Sequence, residues 1–422
     1  MGARRFDVLV VGAGPAGSTA ALVLARAGVR VALLDKARFP RDKACGDLIG
    51  PRGLQVLADL AVPEPPGVDV GHLVVVGPSN RRVVLTCIDG TAYPGRGRVV
   101  TRSVFDDALR DAALHAGAIP VDGRAGHPIW SNVGLDGFEV DGGEAVHADF
   151  VIGADGATSQ VAQVAALVEG PRVLWGFAVR TYVDQHVDHP VIALWEQRRW
   201  RAFPGYGWIF PSPGGGANIG VGIGTLGDRR GGAEAVRAVP DFVEHLVRLR
   251  LLDRASARPL PRQLGGWLKM GMVGTTPAAG RVLLVGDAAG LVNPLQGEGI
   301  AQAMTSGRAA AEAIIGAPRS AAADYRRTLV RSHLPYQRIA AAGHAALVGR
   351  PRAVSAVGRL MTAPGIGSAL ADGWGVFWNE LLEGAAPGSP RNVAAATTWL
   401  GRGVTRSSRV SRWFDALPDD AR

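Results

Sequence analysis

The chain has 422 residues, a formal charge of +9, and 47% hydrophobic against 20% charged residues. This balance excludes a disordered chain, and the length exceeds one ordinary core, so two or three subdomains are expected. No basic stretch is interleaved with aromatics, which excludes the usual nucleic-acid platform. The positive charge instead suits an anionic small molecule, an anionic membrane surface, or simply a genome biased towards Arg and Ala. The only cysteines, Cys45 and Cys87, are too few for a disulfide framework, and Cys87 reads as structural; a reducing cytoplasm fits them. Residues 8–25 are apolar enough to mimic a membrane span, but spaced glycines and the flanking Asp7 argue against one. A cytoplasmic protein is expected, and peripheral membrane contact is compatible with it.

In chain order, Phe6 to Val11 is an unbroken β-favouring run followed at once by Gly12, Gly14 and Gly17. Ser18 to Ala27 reads as a helix, and Val29 to Leu34 as a second strand ending in Asp35. The result is a β-α-β unit with an acid about twenty residues past the glycines, the arrangement that binds a dinucleotide. Gly12 permits the tight turn, Gly14 lets backbone N–H groups approach a pyrophosphate, and Gly17 lets helix and strand pack closely. Asp35 can accept both hydroxyls of an adenosine ribose.

A basic loop from Lys36 to Lys43 leads into Ala44-Cys45-Gly46-Asp47-Leu48. Residues 52–60 have helical spacing, and Pro63, Pro65 and Pro66 look like a domain crossing. Strands are expected at 72–76 and 81–88, and a helix opening near Arg102 with Ser103 as its N-cap. Residues 148–154 form a buried strand leading into Asp155-Gly156. Four strands at 173–183, 190–196, 205–211 and 217–223 predict a largely antiparallel sheet. Residues 231–252 look helical, 281–285 form a buried strand, and a helix runs from about Gly299 to Ile315. The last ninety or so residues are mostly helical, broken at Pro351, Pro364 and Pro387 to Pro390.

The second strong signal is the stretch from Gly286-Asp287 through Asn293-Pro294 to Gly297-Glu298-Gly299-Ile300. A strand that delivers an Asp onto a Gly-rich loop ahead of a helix suits a ribityl chain and a flat ring. The helix N-terminus would face the flavin edge that becomes anionic on reduction. Two nucleotide-contacting stretches so far apart in sequence imply one long ligand, and FAD fits where NAD alone would not need the second stretch. Along 205–211, Tyr206, Trp208 and Phe210 alternate with Gly205, Gly207 and Ile209 and so share one face. An aromatic wall suits an apolar, elongated substrate, and ordinary core packing would use the same alternation.

Together these elements resemble the FAD-dependent oxidoreductases of the para-hydroxybenzoate hydroxylase type. Lys43-Ala-Cys45-Gly46-Asp47, Gly205-Tyr206-Gly-Trp208-Ile-Phe210-Pro211 and Asn293-Pro294-Leu-Gln-Gly297-Glu298-Gly299 are closer to its geranylgeranyl reductase branch. The resemblance runs from about residue 5 to 330. It implies an α/β fold: a Rossmann-like FAD-binding domain from 1–65, 101–165 and 280–330, an inserted β-rich substrate domain from 66–100 and 166–279, and a helical region from 331–422.

By the same resemblance Gly12, Gly14, Pro15, Ala16, Gly17, Asp35, Lys36, Arg102, Asp155, Gly286, Asp287, Gly297, Gly299 and Ile300 would bind FAD. Cys45, Gly46 and Asp47 would sit by the isoalloxazine ring as the catalytic loop, and Tyr206, Trp208 and Phe210 would line the substrate cavity. No metal is implied. The implied activity is saturation of C=C bonds in an isoprenoid by hydride from reduced flavin, with Cys45 or a water giving the proton or Cys45 merely shaping the cavity. The alternative is a monooxygenase or halogenase acting through a flavin hydroperoxide, for which a halogenase would want a substrate-facing lysine such as Lys269. The chain departs from the wider family at Ser159-Gln-Val-Ala162, where an Arg is usual, and it has no second dinucleotide unit. The electron donor is therefore expected to act transiently: NAD(P)H, or a reductase or ferredoxin-type protein.

Overall fold

The computed structural model describes residues 4–86, 94–195, 205–227, 229, 231–257, 262–347 and 350–365, with isolated positions beyond. Cys87 and the prolines at 387 and 390 lie outside the described residues. Val- and Leu-rich runs build the first sheet, as expected for strands buried on both faces. Arg4–Val11 pairs in parallel with Val31–Asp35 on one side and with Glu144–Gly153 on the other. Ile119–Asp122 extends the sheet beyond Val31–Asp35, and Val282–Leu284 extends it beyond Glu144–Gly153, both in parallel. Ala278–Ala279 closes that edge, while Ala125–Ser131 and Gly134–Val140 form an antiparallel meander on Glu144–Gly153. The meander was not legible in the sequence, because exposed polar and Gly positions break its alternation.

Helices Pro15–Arg26, Arg102–His115 and Ile300–Gly316 cover this sheet. The first begins earlier than its apolar spacing suggested, because Pro15 occupies the first turn, where no amide hydrogen is needed. The Arg102 helix is capped at Thr101 rather than Ser103. Contact between the first and last of these helices needs a missing side chain: a Cβ on Gly307 would stand 2.2 Å from the Ala16 carbonyl oxygen.

The second sheet has seven strands in the order Leu264–Met270, Leu174–Val183, Ala217–Leu226, Gly205–Pro211, Val191–Ala193, His72–Val76, Arg82–Thr86. Every neighbouring pair is antiparallel except Val191–Ala193 with His72–Val76. Leu264–Met270 is a strand despite Gly265, Gly266 and Lys269, which hid its apolar pattern. Helix Gly232–Arg248 packs on one face through Ala235, Val239, Phe242 and Leu246, against Ile209, Ile219, Val221 and Ile223. A small third sheet joins Leu48–Ile49, Gly97–Val99 and Val68–Val70. After Ile300–Gly316 the chain continues through helices Ala321–Ser332, Leu334–Leu347 and Pro351–Met361.

A candidate flavin and substrate cavity

The other face of the second sheet is organised by side-chain period. Tyr206, Trp208 and Phe210 lie directly opposite Gly222, Gly220 and Asn218 on the neighbouring strand, so all six share one face. The glycines make room for the aromatics. A Cβ at Gly220 would stand 2.0 Å from Trp208 Cζ2, and one at Gly46 would stand 2.8 Å from Phe210 Cε2. Gly207 faces the opposite way, where its Cβ would meet Phe242 at 2.2 Å. The alternation expected from sequence is therefore present, and the aromatic face looks into a cavity of about 1330 Å³.

Elements from across the chain line that cavity. Pro15, Lys43, Cys45, Gly46, Arg102 and Asp287 stand at one part of its wall. Gly297, Glu298, Gly299 and Ile300 form another part, and Tyr206, Trp208 and Phe210 a third. The cavity extends along His344 and the Pro351–Met361 helix, which sequence reading left without a role. Leu268 and Met270 line it as well, whereas Lys269 between them does not. Lys269 is buried with Nζ donating to the Ala288 carbonyl at 2.8 Å, and burial pulls its pKa down to about 8. It does not stand where a halogenase would need it.

The Cys45 loop is fastened from the sheet. Asn218, fully buried, donates from Nδ2 to the Cys45 carbonyl at 2.9 Å and to Asp47 Oδ2 at 2.8 Å. Its Oδ1 accepts from Trp208 Nε1 at 3.0 Å. Tyr182 Oη donates to the same Asp47 oxygen at 2.6 Å, and Arg180 stacks over Tyr182 while pairing with Asp42 at 2.5 Å. Asp47 thus holds the loop's shape, with φ 66 in the left-handed region, and burial raises its pKa against the two donors. It does not line the cavity with Cys45 and Gly46. Asn218, Tyr182 and Arg180 were missed in the sequence. The available signal was one polar residue in register with Gly220, Gly222 and Gly224 along an otherwise apolar strand.

The Cys45 thiol is half-buried at the cavity wall. Burial raises its pKa, and the Arg102 guanidinium partly opposes that, so the sulfur carries its proton at neutral pH. Arg102 is itself buried and held by Asp106, Nε to Oδ1 and Nη2 to Oδ2 at 2.8 Å each. Arg41 reaches Asp106 at 3.0 Å and overlies the glycine turn, 3.3 Å from where a Gly14 Cβ would be. Lys43 Nζ lies 3.5 Å from Asp287 Oδ2.

The glycine turn itself is built as expected. Gly12 has φ 106 and a Cβ there would stand 2.3 Å from the Ala154 carbonyl oxygen, while a Cβ on Gly17 would stand 1.8 Å from the Gly12 carbonyl oxygen. Asp35 accepts from the amides of Ala13 at 2.7 Å and Ala37 at 2.8 Å, one per carboxylate oxygen. Each oxygen keeps a second lone pair for a ribose hydroxyl. Lys36 beside it is exposed. Asp155, expected at the cofactor, has its carboxylate engaged within the chain. Its carboxylate accepts from Ser159 Oγ at 2.5 Å and from the amides of Gln160 and Val161 at 2.6 and 3.2 Å. Those amides open the short Gln160–Val164 helix, whose N-cap is Ser159, and the Asp155 backbone amide abuts Gly12.

Two stretches of the chain, residues 5–65 and 135–327, match the sequence model of the FAD-binding domain family. The chain belongs to that family. It is an FAD-dependent oxidoreductase. It is 34% identical over 314 residues to menaquinone reductase of Mycolicibacterium smegmatis, covering 73% of this chain and 76% of that one. It is also 34% identical over 317 residues to digeranylgeranylglycerophospholipid reductase 2 of Methanopyrus kandleri, again 73% and 76%. In structure it is similar to a geranylgeranyl bacteriochlorophyll reductase-like protein of Thermoplasma acidophilum, with a TM-score of 0.70 and 22% identity over 99% of this chain and 100% of that one.

The residues of this oxidoreductase fit FAD on physical grounds. The Gly12–Gly17 turn leaves no room for side chains where backbone amides must meet phosphates. Lys43 and Arg102 bring positive charge to the cavity wall beside it. At the far stretch, Gly297 takes φ 67 and its Cβ would stand 2.9 Å from Tyr206 Oη, so a side chain there would crowd the aromatic wall. Tyr206 Oη in turn donates to the Gln296 carbonyl, fixing this loop against the sheet. Among the described residues no group of side chains could hold a metal ion.

The helices that close the cavity carry a built-in pH dependence. His344 is buried, with Nδ1 3.0 Å from the Pro294 carbonyl, and burial pulls its pKa down to about 4. His333, which follows the Ala321–Ser332 helix, is pulled down to about 3, first by burial and then by Arg52. Both are neutral in the fold and must take a proton on unfolding in acid. Their contribution is therefore fully present above about pH 6.5, the unfolded value, and is lost as pH falls towards 4. Thermal unfolding of the holoenzyme should weaken by several degrees across that window, and His344→Gln should flatten the slope; an unchanged slope would count against this assignment.

Proposed function

We propose that the chain reduces C=C bonds of an isoprenoid or similarly apolar, elongated substrate. The observation that carries this reading is the large cavity whose wall is aromatic and aliphatic, and which meets the Cys45–Gly46 loop and the Gly297–Ile300 turn on one side. Saturation of an alkene adds a hydride to one carbon and a proton to the other. Bound FAD, once reduced by a two-electron donor such as NAD(P)H or a reductase or ferredoxin-type protein, supplies the hydride. Tyr206, Trp208 and Phe210 hold the chain flat and exclude water. Cys45 Sγ holds a proton at the wall, and Arg102 beside it favours the thiolate left when that proton goes to the substrate carbon. The names of the relatives, reductases of menaquinone and of digeranylgeranylglycerophospholipid, agree with a polyprenyl substrate. In this reading residues 1–65, 101–165 and 280–330 make the nucleotide domain and the second sheet makes the substrate domain.

Of the oxygen-using alternatives, halogenation has less support, since Lys269 is turned away from the cavity, and hydroxylation is separated by experiment. Anaerobic photoreduction of the purified yellow protein, followed by stopped-flow mixing with air or with a polyprenyl substrate, decides between them. Substrate-dependent reoxidation without oxygen, giving a product heavier by two hydrogens, is expected. A product carrying oxygen or halogen would overturn the reading. Cys45→Ala should keep FAD and slow turnover by about a hundredfold, in the range for loss of a general acid. An unaffected rate would leave Cys45 as a wall residue only.

A further inference from the structure

The Pro351–Met361 helix presents two different faces. Val354, Gly358 and Met361 turn inward: a Cβ at Gly358 would stand 3.1 Å from Pro78 and 3.6 Å from Leu194, and Val354 and Met361 pack against the clusters of the second sheet. The outward arc is apolar where a surface helix is normally polar. Val357 is 39% and Leu360 48% exposed, with exposed Ala356 next to Leu360 on the helical wheel. Arg352 and Arg359, seven residues apart and so on one edge of that arc, are exposed as well, and Arg350 precedes the helix. Residues of both faces border the cavity, Arg352, Val357, Arg359 and Leu360 among them, so the outward arc lies at its rim. Among the described residues no helix is long and apolar enough to cross a membrane.

An exposed apolar arc edged by arginines, laid along the opening of an apolar cavity, is the pattern of a helix that lies in a lipid–water interface. We propose that the outward face of Pro351–Met361 docks on an anionic lipid bilayer, with Val357 and Leu360 entering the acyl boundary and Arg352 and Arg359 meeting the lipid phosphates. The cavity mouth then opens onto the membrane, and an apolar substrate passes into it without crossing water. The functional reading above supplies the reason for such a surface, but the docking is measurable without it.

The test floats the full-length, FAD-loaded protein with vesicles of phosphatidylcholine alone and of phosphatidylcholine with added phosphatidylglycerol. Binding to the anionic vesicles that falls with salt is expected, weakened about thirtyfold in the Arg352→Gln, Arg359→Gln double variant and abolished in Val357→Asp, Leu360→Asp. Retained FAD absorbance shows that the variants fold. As a probe that leaves the face apolar, Leu360→Trp should shift its emission to the blue on adding anionic vesicles. No binding to anionic vesicles, equal binding by the variants, or an unmoved Trp emission would overturn the proposal. So would a Trp already shielded from iodide without lipid, which would mean that another part of the chain or a second copy covers the face. Turnover of a detergent-dispersed polyprenyl substrate is read separately, so failure of docking and failure of the reductase reading are distinguishable.

Discussion

Gly17→Ala is expected to give a colourless protein. The added carbon would stand 1.8 Å from the Gly12 carbonyl oxygen and 3.0 Å from Ala154 Cβ. The first neighbour is backbone and cannot swing aside, so either the turn or the Pro15–Arg26 helix must move. Overpacking of this kind costs on the order of 1–3 kcal/mol in a core. Here the displaced atoms are also the ones that present amides to the pyrophosphate. A loss of about 3 kcal/mol in binding corresponds to roughly a hundredfold weaker retention of FAD. The ratio of flavin to protein absorbance after gel filtration reads it directly. Gly71→Ala, where a Cβ meets nothing within 4 Å, is the control and should stay yellow. Asp287→Ala and Asp35→Ala remove side chains without moving backbone and should weaken retention less. Full flavin occupancy in Gly17→Ala would mean that the turn tolerates the shift and that phosphate binding is seated elsewhere.

Asn218→Leu is expected to separate flavin binding from turnover. Leucine fills the space but leaves three groups without their partner: the Trp208 indole N–H, the Cys45 carbonyl and one bond to Asp47. Each buried polar group so orphaned costs about 1–3 kcal/mol, and a total near 3–5 kcal/mol is expected in stability. The Gly12–Gly17 turn, proposed to seat the nucleotide, lies on the other sheet, so FAD should be retained. The Cys45 loop loses its fastening, however, and a displacement of an ångström at a reacting group costs about a hundredfold in rate. Urea unfolding and single-turnover reduction of substrate measure the two effects. Equal losses of FAD and of rate would show that Asn218 supports the whole fold rather than this loop.

The strongest local patterns were the ones legible beforehand. The β-α-β unit, the Gly286–Gly299 stretch and the alternating aromatics each follow from a short periodicity or a backbone need, and each is found where the sequence put it. The C-terminal wall was not legible, because a helix gives no sign in sequence of which cavity it will close. Leu264–Met270 was hidden by glycines and by a lysine whose buried Nζ is satisfied outside the strand, by the Ala288 carbonyl. Asn218 was passed over because its three partners come from the loop around Cys45 and Asp47 and from the neighbouring strand. Asp155 was expected at the cofactor from its neighbourhood, and the geometry adds that its carboxylate also accepts from the first amides of the following helix.

The cavity wall draws on residues from Pro15 to Met361, and this has a consequence during synthesis. A nascent chain that has just left the ribosome exit tunnel up to Asp35 carries the first glycine-rich stretch, but Ala154, against which that turn rests, and the turn at Asp287 follow much later. Cofactor capture therefore belongs to a late stage of biogenesis. Until the final helices emerge, the cavity lacks the wall that His344 and the Pro351–Met361 helix supply.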